Sequence, residues 1–178
     1  MKPKDALIVL FAVVLLGALA LAWMWPTGLK RAPDVALNTI DGREIRLAEL
    51  RGRPLLVTFW ATTCSSCVKE MPHLVDLYRE YGPRGLEIIG IAMYYDPPRN
   101  VVALVEARAL PYPIAIDTQA QAAQAFGDVR LTPTSFLIAP DGRIVQQRIG
   151  DLDMELVRRQ LDQMLTRSAA AAPAAAGG

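Results

Sequence analysis

The longest stretches of apolar residues fall into two kinds. One is Ala6 to Trp25, ALIVLFAVVLLGALALAWMW, an uncharged run of 20 residues with no polar face. At 1.5 Å per residue a helix of that length spans a hydrocarbon layer of roughly 30 Å, which predicts a transmembrane segment rather than a buried globular helix. Trp23 and Trp25 close the run at the level of the headgroups, and Pro26 with Gly28 stop the helix. A cleaved signal peptide is the rival reading, since Ala18-Leu19-Ala20 and Ala20-Leu21-Ala22 resemble small-x-small cleavage sites. The run exceeds the about 7 to 15 residues of a signal core, which favours an uncleaved anchor.

The other kind is shorter and sits inside a mixed pattern. Pro54 to Ala61, PLLVTFWA, and Glu87 to Met93, EIIGIAM, read as central strands buried on both faces. Between them Met71, Leu74, Val75 and Tyr78 recur at helical spacing, giving an amphipathic helix that ends near Gly82-Pro83 and carries Pro72 inside it as a kink. Further on the pattern predicts a helix over Asn100 to Leu110, a short strand over Pro113 to Asp117 and a helix over Gln119 to Phe126. Thr134 to Ile138 and Arg143 to Ile149 form a hairpin around Asp141-Gly142, and Met154 to Leu165 a closing helix. An earlier hairpin is expected around Asp41-Gly42. The elements together predict an α/β fold, a central mixed sheet flanked by helices.

These boundaries divide the 178 residues into an N-terminal flank (1–5), an anchor (6–25), a linker (26–33), one globular domain (34–167) and a tail (168–178). The tail, SAAAAPAAAGG, has no apolar side chain larger than alanine and is expected to be disordered. Net charge is +1 with both signs intermingled, which provides no footprint for nucleic acid. Lys2 and Lys4 before the apolar run balance Lys30 and Arg31 after it, so basic residues alone do not orient the anchor.

Candidate chemistry concentrates in WATTCSSCVKEMP, Trp60 to Pro72, which holds both cysteines, Cys64 and Cys67. A C-x-x-C that follows a buried strand and opens a helix sets its first sulfur at the helix N-terminus, where unpaired N–H groups and the dipole favour a thiolate. Two thiols at this spacing suffice for two-electron exchange without a cofactor. Structural zinc fails on ligand count, because the only histidine is His73 and no second C-x-x-C exists. His73 reads better as a solvated or packed residue than as a ligand. Thiolate-bound Cu(I) stays open. A structural staple is the weaker reading, since so short a loop removes little unfolded-chain entropy.

Cys64-x-x-Cys67-x-x-Glu70-x-Pro72, Trp60-Ala61 and Leu131-Thr132-Pro133-Thr134-Ser135 resemble the thioredoxin superfamily, and in particular its membrane-anchored, extracytoplasmic thiol-disulfide oxidoreductases of the TlpA, ResA and CcmG type. The resemblance covers roughly Ala32 to Arg167 and implies a thioredoxin-like fold with an N-terminal β-hairpin and a central αβ insertion over Pro97 to Asp117. It implies Cys64 as attacking thiolate, Cys67 as resolving thiol, Pro133 as a cis-proline, and Thr132 as a backbone partner for a substrate strand. Trp60 would shield the rim. It further implies a monomer with its domain in the periplasm or equivalent space, protein disulfides such as those of apocytochrome c or copper-site precursors as clients, and a membrane thiol transporter as electron donor. The alternative is a Cu(I)-binding assembly factor of the same fold; a dithiol peroxidase lacks support, because Ala61 stands three residues before Cys64 where a threonine is expected.

The chain departs from the pattern at Thr58, where thioredoxin has a buried aspartate that takes the proton of the resolving cysteine. Asp96, after the next strand, is the expected substitute. Glu70 is expected to be a solvated carboxylate on an exposed helix, and only secondarily a participant.

Overall fold

The computed structural model describes residues 15–17 and 31–171, with side chains to 167. Seven strands and four α-helices follow in order: β1 (Ala36–Asn38), β2 (Glu44–Arg46), β3 (Leu55–Trp60), α1 (Ser65–Tyr81), β4 (Glu87–Ala92), α2 (Pro98–Arg108), β5 (Ile114–Ile116), α3 (Gln121–Ala125), β6 (Thr134–Ile138), β7 (Ile144–Ile149) and α4 (Met154–Ala171). The expected anchor lies outside the described residues except for helical Leu15 to Gly17. No helix among the described residues is long and apolar enough to cross a membrane.

Five strands form one mixed sheet in the order β5-β4-β3-β6-β7. The β3–β4 and β4–β5 pairs are parallel, and the β3–β6 and β6–β7 pairs antiparallel. Placing β3 and β4 at the centre explains their unbroken apolar sequences, since neither face meets water: every residue of β3 is buried. The hairpin β1–β2 docks on the β5 edge, where Ile40 N donates to Ile114 O at 2.8 Å and Thr39 bridges Ala115. That closes an edge otherwise open to pairing with another chain. The insertion after β4, α2 and β5, adds the outermost parallel strand to the same side.

The period of two along β3 splits the core into two layers. Leu56 and Trp60 pack with Cys67, Met71, Leu74 and Leu77 of α1, Val101 of α2, and Val157 and Leu161 of α4. Leu55, Val57 and Phe59 face the other way, onto Leu37, Leu47, Phe126 and Phe136. Thr58 therefore points towards the α1 layer, and Ser135 Oγ donates to its hydroxyl at 2.9 Å. Both polar groups are buried, and each satisfies the other.

Some element ends differ from the sequence pattern. The helix expected from Asn100 starts at Pro98, a residue preorganised for a first helical position. The helix expected over Gln119 to Phe126 is only Gln121–Ala125, because the buried Asp117 carboxylate accepts from Ala122 N and Ala123 N and fixes its start. The closing helix runs on to Ala171, four residues into the expected tail, since alanine carries the highest intrinsic helix propensity. Residues 172–178 lie outside the described part.

Candidate active site

Strand β3 ends at Trp60, and after four intervening residues α1 begins at Ser65. Cys64 is the N-cap of α1, with an extended backbone (φ −86°, ψ 101°), and its Sγ accepts from Cys67 N at 3.2 Å. Its sulfur thus sits where the free N–H groups of a 17-residue helix converge. Cys64 is half-buried and Cys67 is 3 % exposed, so one sulfur of the Cys64–Cys67 disulfide can be reached from outside and the other cannot. Ser66 Oγ lies 3.4 Å from the Cys64 sulfur. Pro72 does not interrupt α1, which runs continuously from Ser65 to Tyr81.

The loop before Cys64 is held from β4. Asp96 is 3 % exposed, and its two carboxylate oxygens accept from Thr62 N at 2.5 Å and Thr62 Oγ1 at 2.6 Å. Both oxygens are thus engaged by the loop, which makes Asp96 a clamp on the approach to Cys64 rather than the expected acceptor for the Cys67 proton. Asp96→Ala leaves the Thr62 N–H without its acceptor and is expected to cost about 1.5–3 kcal/mol, read as a lower denaturant midpoint at unchanged slope. An unchanged midpoint would show that the clamp carries no weight.

The acid next to Cys67 is Glu70, and here the sequence expectation is corrected. Glu70 is 5 % exposed, not solvated, because the face of α1 that carries Cys67 also carries the residue one turn on. Its Oε1 accepts from Leu152 N at 2.6 Å, across 82 residues of sequence. Burial pushes the Glu70 carboxyl above the ordinary glutamate range; the Leu152 N–H pulls it down, Asp151 adds to the rise, and His73 opposes it. Glu70 and Cys67 line one small cavity of about 10 Å³, near the lower limit for a single water, together with Thr58, Trp60, Tyr112 and Pro133.

Trp60 belongs to this interior: it is 3 % exposed and packs in the α1 layer, so it backs the cysteines rather than shielding an outer rim. Gly90 of β4 makes the room, since a Cβ there would stand 2.6 Å from Ile114 Cδ1 and 3.1 Å from Trp60 Nε1. The Thr132–Pro133 bond is cis, and Pro133 reaches the same cavity as Cys67. The Thr132 N–H and C=O have no partner among the described residues, while Pro133 O accepts from Gly150 N at 2.8 Å. Four large apolar side chains stay exposed around this end of the sheet: Tyr94 and Tyr95 after β4, Leu131 before Thr132, and Ile149, which pairs with Thr134. The two tyrosine rings meet edge to face at 5.3 Å. Tyr112, Thr62 and the Leu152 N–H were not legible as site members, because each arrives from a separate element with no local motif.

A half-buried sulfur at a helix N-cap, a buried partner sulfur one turn on and a carboxyl beside it are the parts of a dithiol-disulfide exchange site. The comparisons agree. Residues 29–147 match the AhpC/TSA family. The chain is 36 % identical over 133 residues to "Thiol-disulfide oxidoreductase ResA" of Geobacillus thermodenitrificans, covering 75 % of each chain. It is 35 % identical over 138 residues to the protein of that name from Bacillus anthracis, covering 76 % of this chain and 77 % of the relative. Among solved structures, a thiol:disulfide interchange protein of the thioredoxin family from Chlorobium tepidum superposes with a TM-score of 0.69 at 27 % identity, covering 76 % of this chain and 96 % of the other. The chain therefore belongs to the AhpC/TSA family and is one of its thioredoxin-like thiol-disulfide oxidoreductases, of the ResA kind.

Proposed function

We propose that this oxidoreductase is a membrane-anchored reductant of protein disulfides, with Ala6 to Trp25 as its anchor and the domain on the outer face of the cytoplasmic membrane. The observation that carries the exchange chemistry is the placement of Cys64 Sγ against Cys67 N at the start of α1, which stabilises the thiolate and makes Cys64 the attacking sulfur; the reducing direction rests on the kinship with ResA-like oxidoreductases. In the working direction the Cys64 thiolate attacks one sulfur of a client disulfide, and the other client sulfur leaves as a thiolate that takes a proton from solvent. Cys67 then loses its proton and attacks Cys64 Sγ, forming the Cys64–Cys67 bond and releasing the second client thiol. Two electrons pass to the client and no cofactor takes part. Thr58 cannot accept the Cys67 proton, and Asp96 is committed to Thr62, so Glu70 is the acceptor this reading assigns.

Clients would lie as an extended segment along Thr132, whose free backbone groups suit pairing with a strand, with apolar side chains on Tyr94, Tyr95, Leu131 and Ile149. Apocytochromes c and copper-site precursors fit as clients, a membrane thiol transporter fits as donor, and the protein works as a monomer. The reduction potential of the Cys64/Cys67 couple tests the direction. A value near the about −270 mV of thioredoxin is expected; one near about −120 mV, that of a strong periplasmic oxidant, would reverse the assignment.

A further inference from the structure

Glu70 has two sides. Inwards it lines the cavity behind Cys67; outwards it lines a groove of about 390 Å³ between α1 and the start of α4, shared with Ser66, Lys69, His73, Asp151 and Glu155. It is the one residue among those lining the two cavities that belongs to both. His73 sits one turn along α1 from Glu70, is exposed, and is the single histidine of the chain. We infer that this groove is the proton exit of the resolving step, and that His73 sets the charge of Glu70 at its inner end.

The inference rests on Glu70 being the acceptor for Cys67. A carboxyl raised by burial is a poor base at mildly acid pH, because much of it is already protonated. A positive charge on the next turn favours the carboxylate, opposing the rise that burial causes. The groove then returns the proton to water. In the resolving step the proton goes from Cys67 to the Glu70 carboxylate, the sulfur electron pair forms the bond to Cys64 Sγ, and the client leaves as a thiolate that takes a proton from solvent. Glu70 is reset by release of its proton into the groove. The other groups facing this pair are Lys69 on α1, Asp151, Asp153 and Glu155 at the start of α4, and Tyr112 from the segment before β5; Asp76 is exposed on α1 one turn beyond His73. The acids oppose the positive charge that His73 supplies. His73 acts through Glu70 and is a positioning residue, not a catalytic one.

The test uses the full chain in detergent micelles. In the oxidised form neither cysteine titrates, so the Glu70 carboxyl can be followed by carbon-13 NMR of glutamate-labelled protein, with Glu70→Gln assigning the signal. The rate of client thiol release in a single turnover is then measured from pH 5 to 8. His73→Gln is expected to move the Glu70 titration and the acid limb of the rate up by about half a pH unit, a roughly twofold slower turnover at the wild-type midpoint. His73→Lys, which keeps a positive charge, is expected to restore both. A His73→Gln protein whose Glu70 titration overlays wild type overturns the inference, and so does a His73→Lys protein that behaves like His73→Gln. If Glu70→Gln retains the wild-type rate and acid limb, the assignment of Glu70 itself fails, and the groove with it.

Discussion

Cys64→Ser is expected to lower the rate of client disulfide reduction by about three orders of magnitude or more, to the uncatalysed background. The nucleophile is a thiolate, and a serine hydroxyl at the same N-cap stays protonated at neutral pH even with the α1 N–H groups aimed at it. The fold should be unaffected, because Cys64 is half-buried and serine is itself a favoured N-cap residue. Cys67→Ser separates the two sulfurs: attack by Cys64 continues, resolution stops, and a mixed disulfide with the client accumulates on Cys64. Non-reducing electrophoresis and mass measurement of the trapped species check both outcomes. A client trapped on Cys67, or substantial activity in Cys64→Ser, would reverse the roles that burial and capping assign.

The largest effect on stability is expected at Phe59. Its side chain is fully buried in a triangle of three aromatic rings, with centroids 5.4 Å from Phe126 and 6.0 Å from Phe136, which in turn lie 4.8 Å apart. Phe59→Ala removes one corner of that cluster and leaves a cavity that the flanking strands cannot collapse into, at a cost of about 3–5 kcal/mol. Against a typical total of about 5–15 kcal/mol this brings the domain close to unfolding at ambient temperature. Denaturant titration reads the loss directly. Because Phe59 faces the layer opposite Trp60 and Cys67, the reduction potential of the molecules that remain folded should match wild type. A shift in potential would mean that the two layers are coupled through β3.

How much of this was readable in advance depends on how local the cause is. The unbroken run PLLVTFWA marks β3 as a central strand, and the observed sheet places it between β4 and β6 with every side chain buried. Met71, Leu74, Val75 and Tyr78 mark the inner face of α1 because helical spacing is a property of the chain itself. The same stripe contains the reason Glu70 was misjudged. One turn from Cys67 it falls on the buried side of the helix, yet a carboxylate following a lysine reads as solvated unless a partner is known. That partner, the backbone N–H of Leu152, comes from the segment after the edge strand β7. Asp96 was singled out for its position after β4, but its commitment to Thr62 needed the two loops in register.

The sequence alone determined where the reactive pair stands: two cysteines a helical turn apart, after a buried strand and ahead of an amphipathic helix. That follows from hydrophobic period and from the backbone groups every helix start exposes. It also determined that Thr58 supplies no acid. Only the tertiary structure decided which carboxyl is buried beside Cys67, because the environment of an acid depends on what excludes water from it. For Glu70 that surrounding is assembled from β3, the segment before β5, the cis-proline loop and the start of α4, elements that come together only when the sheet closes.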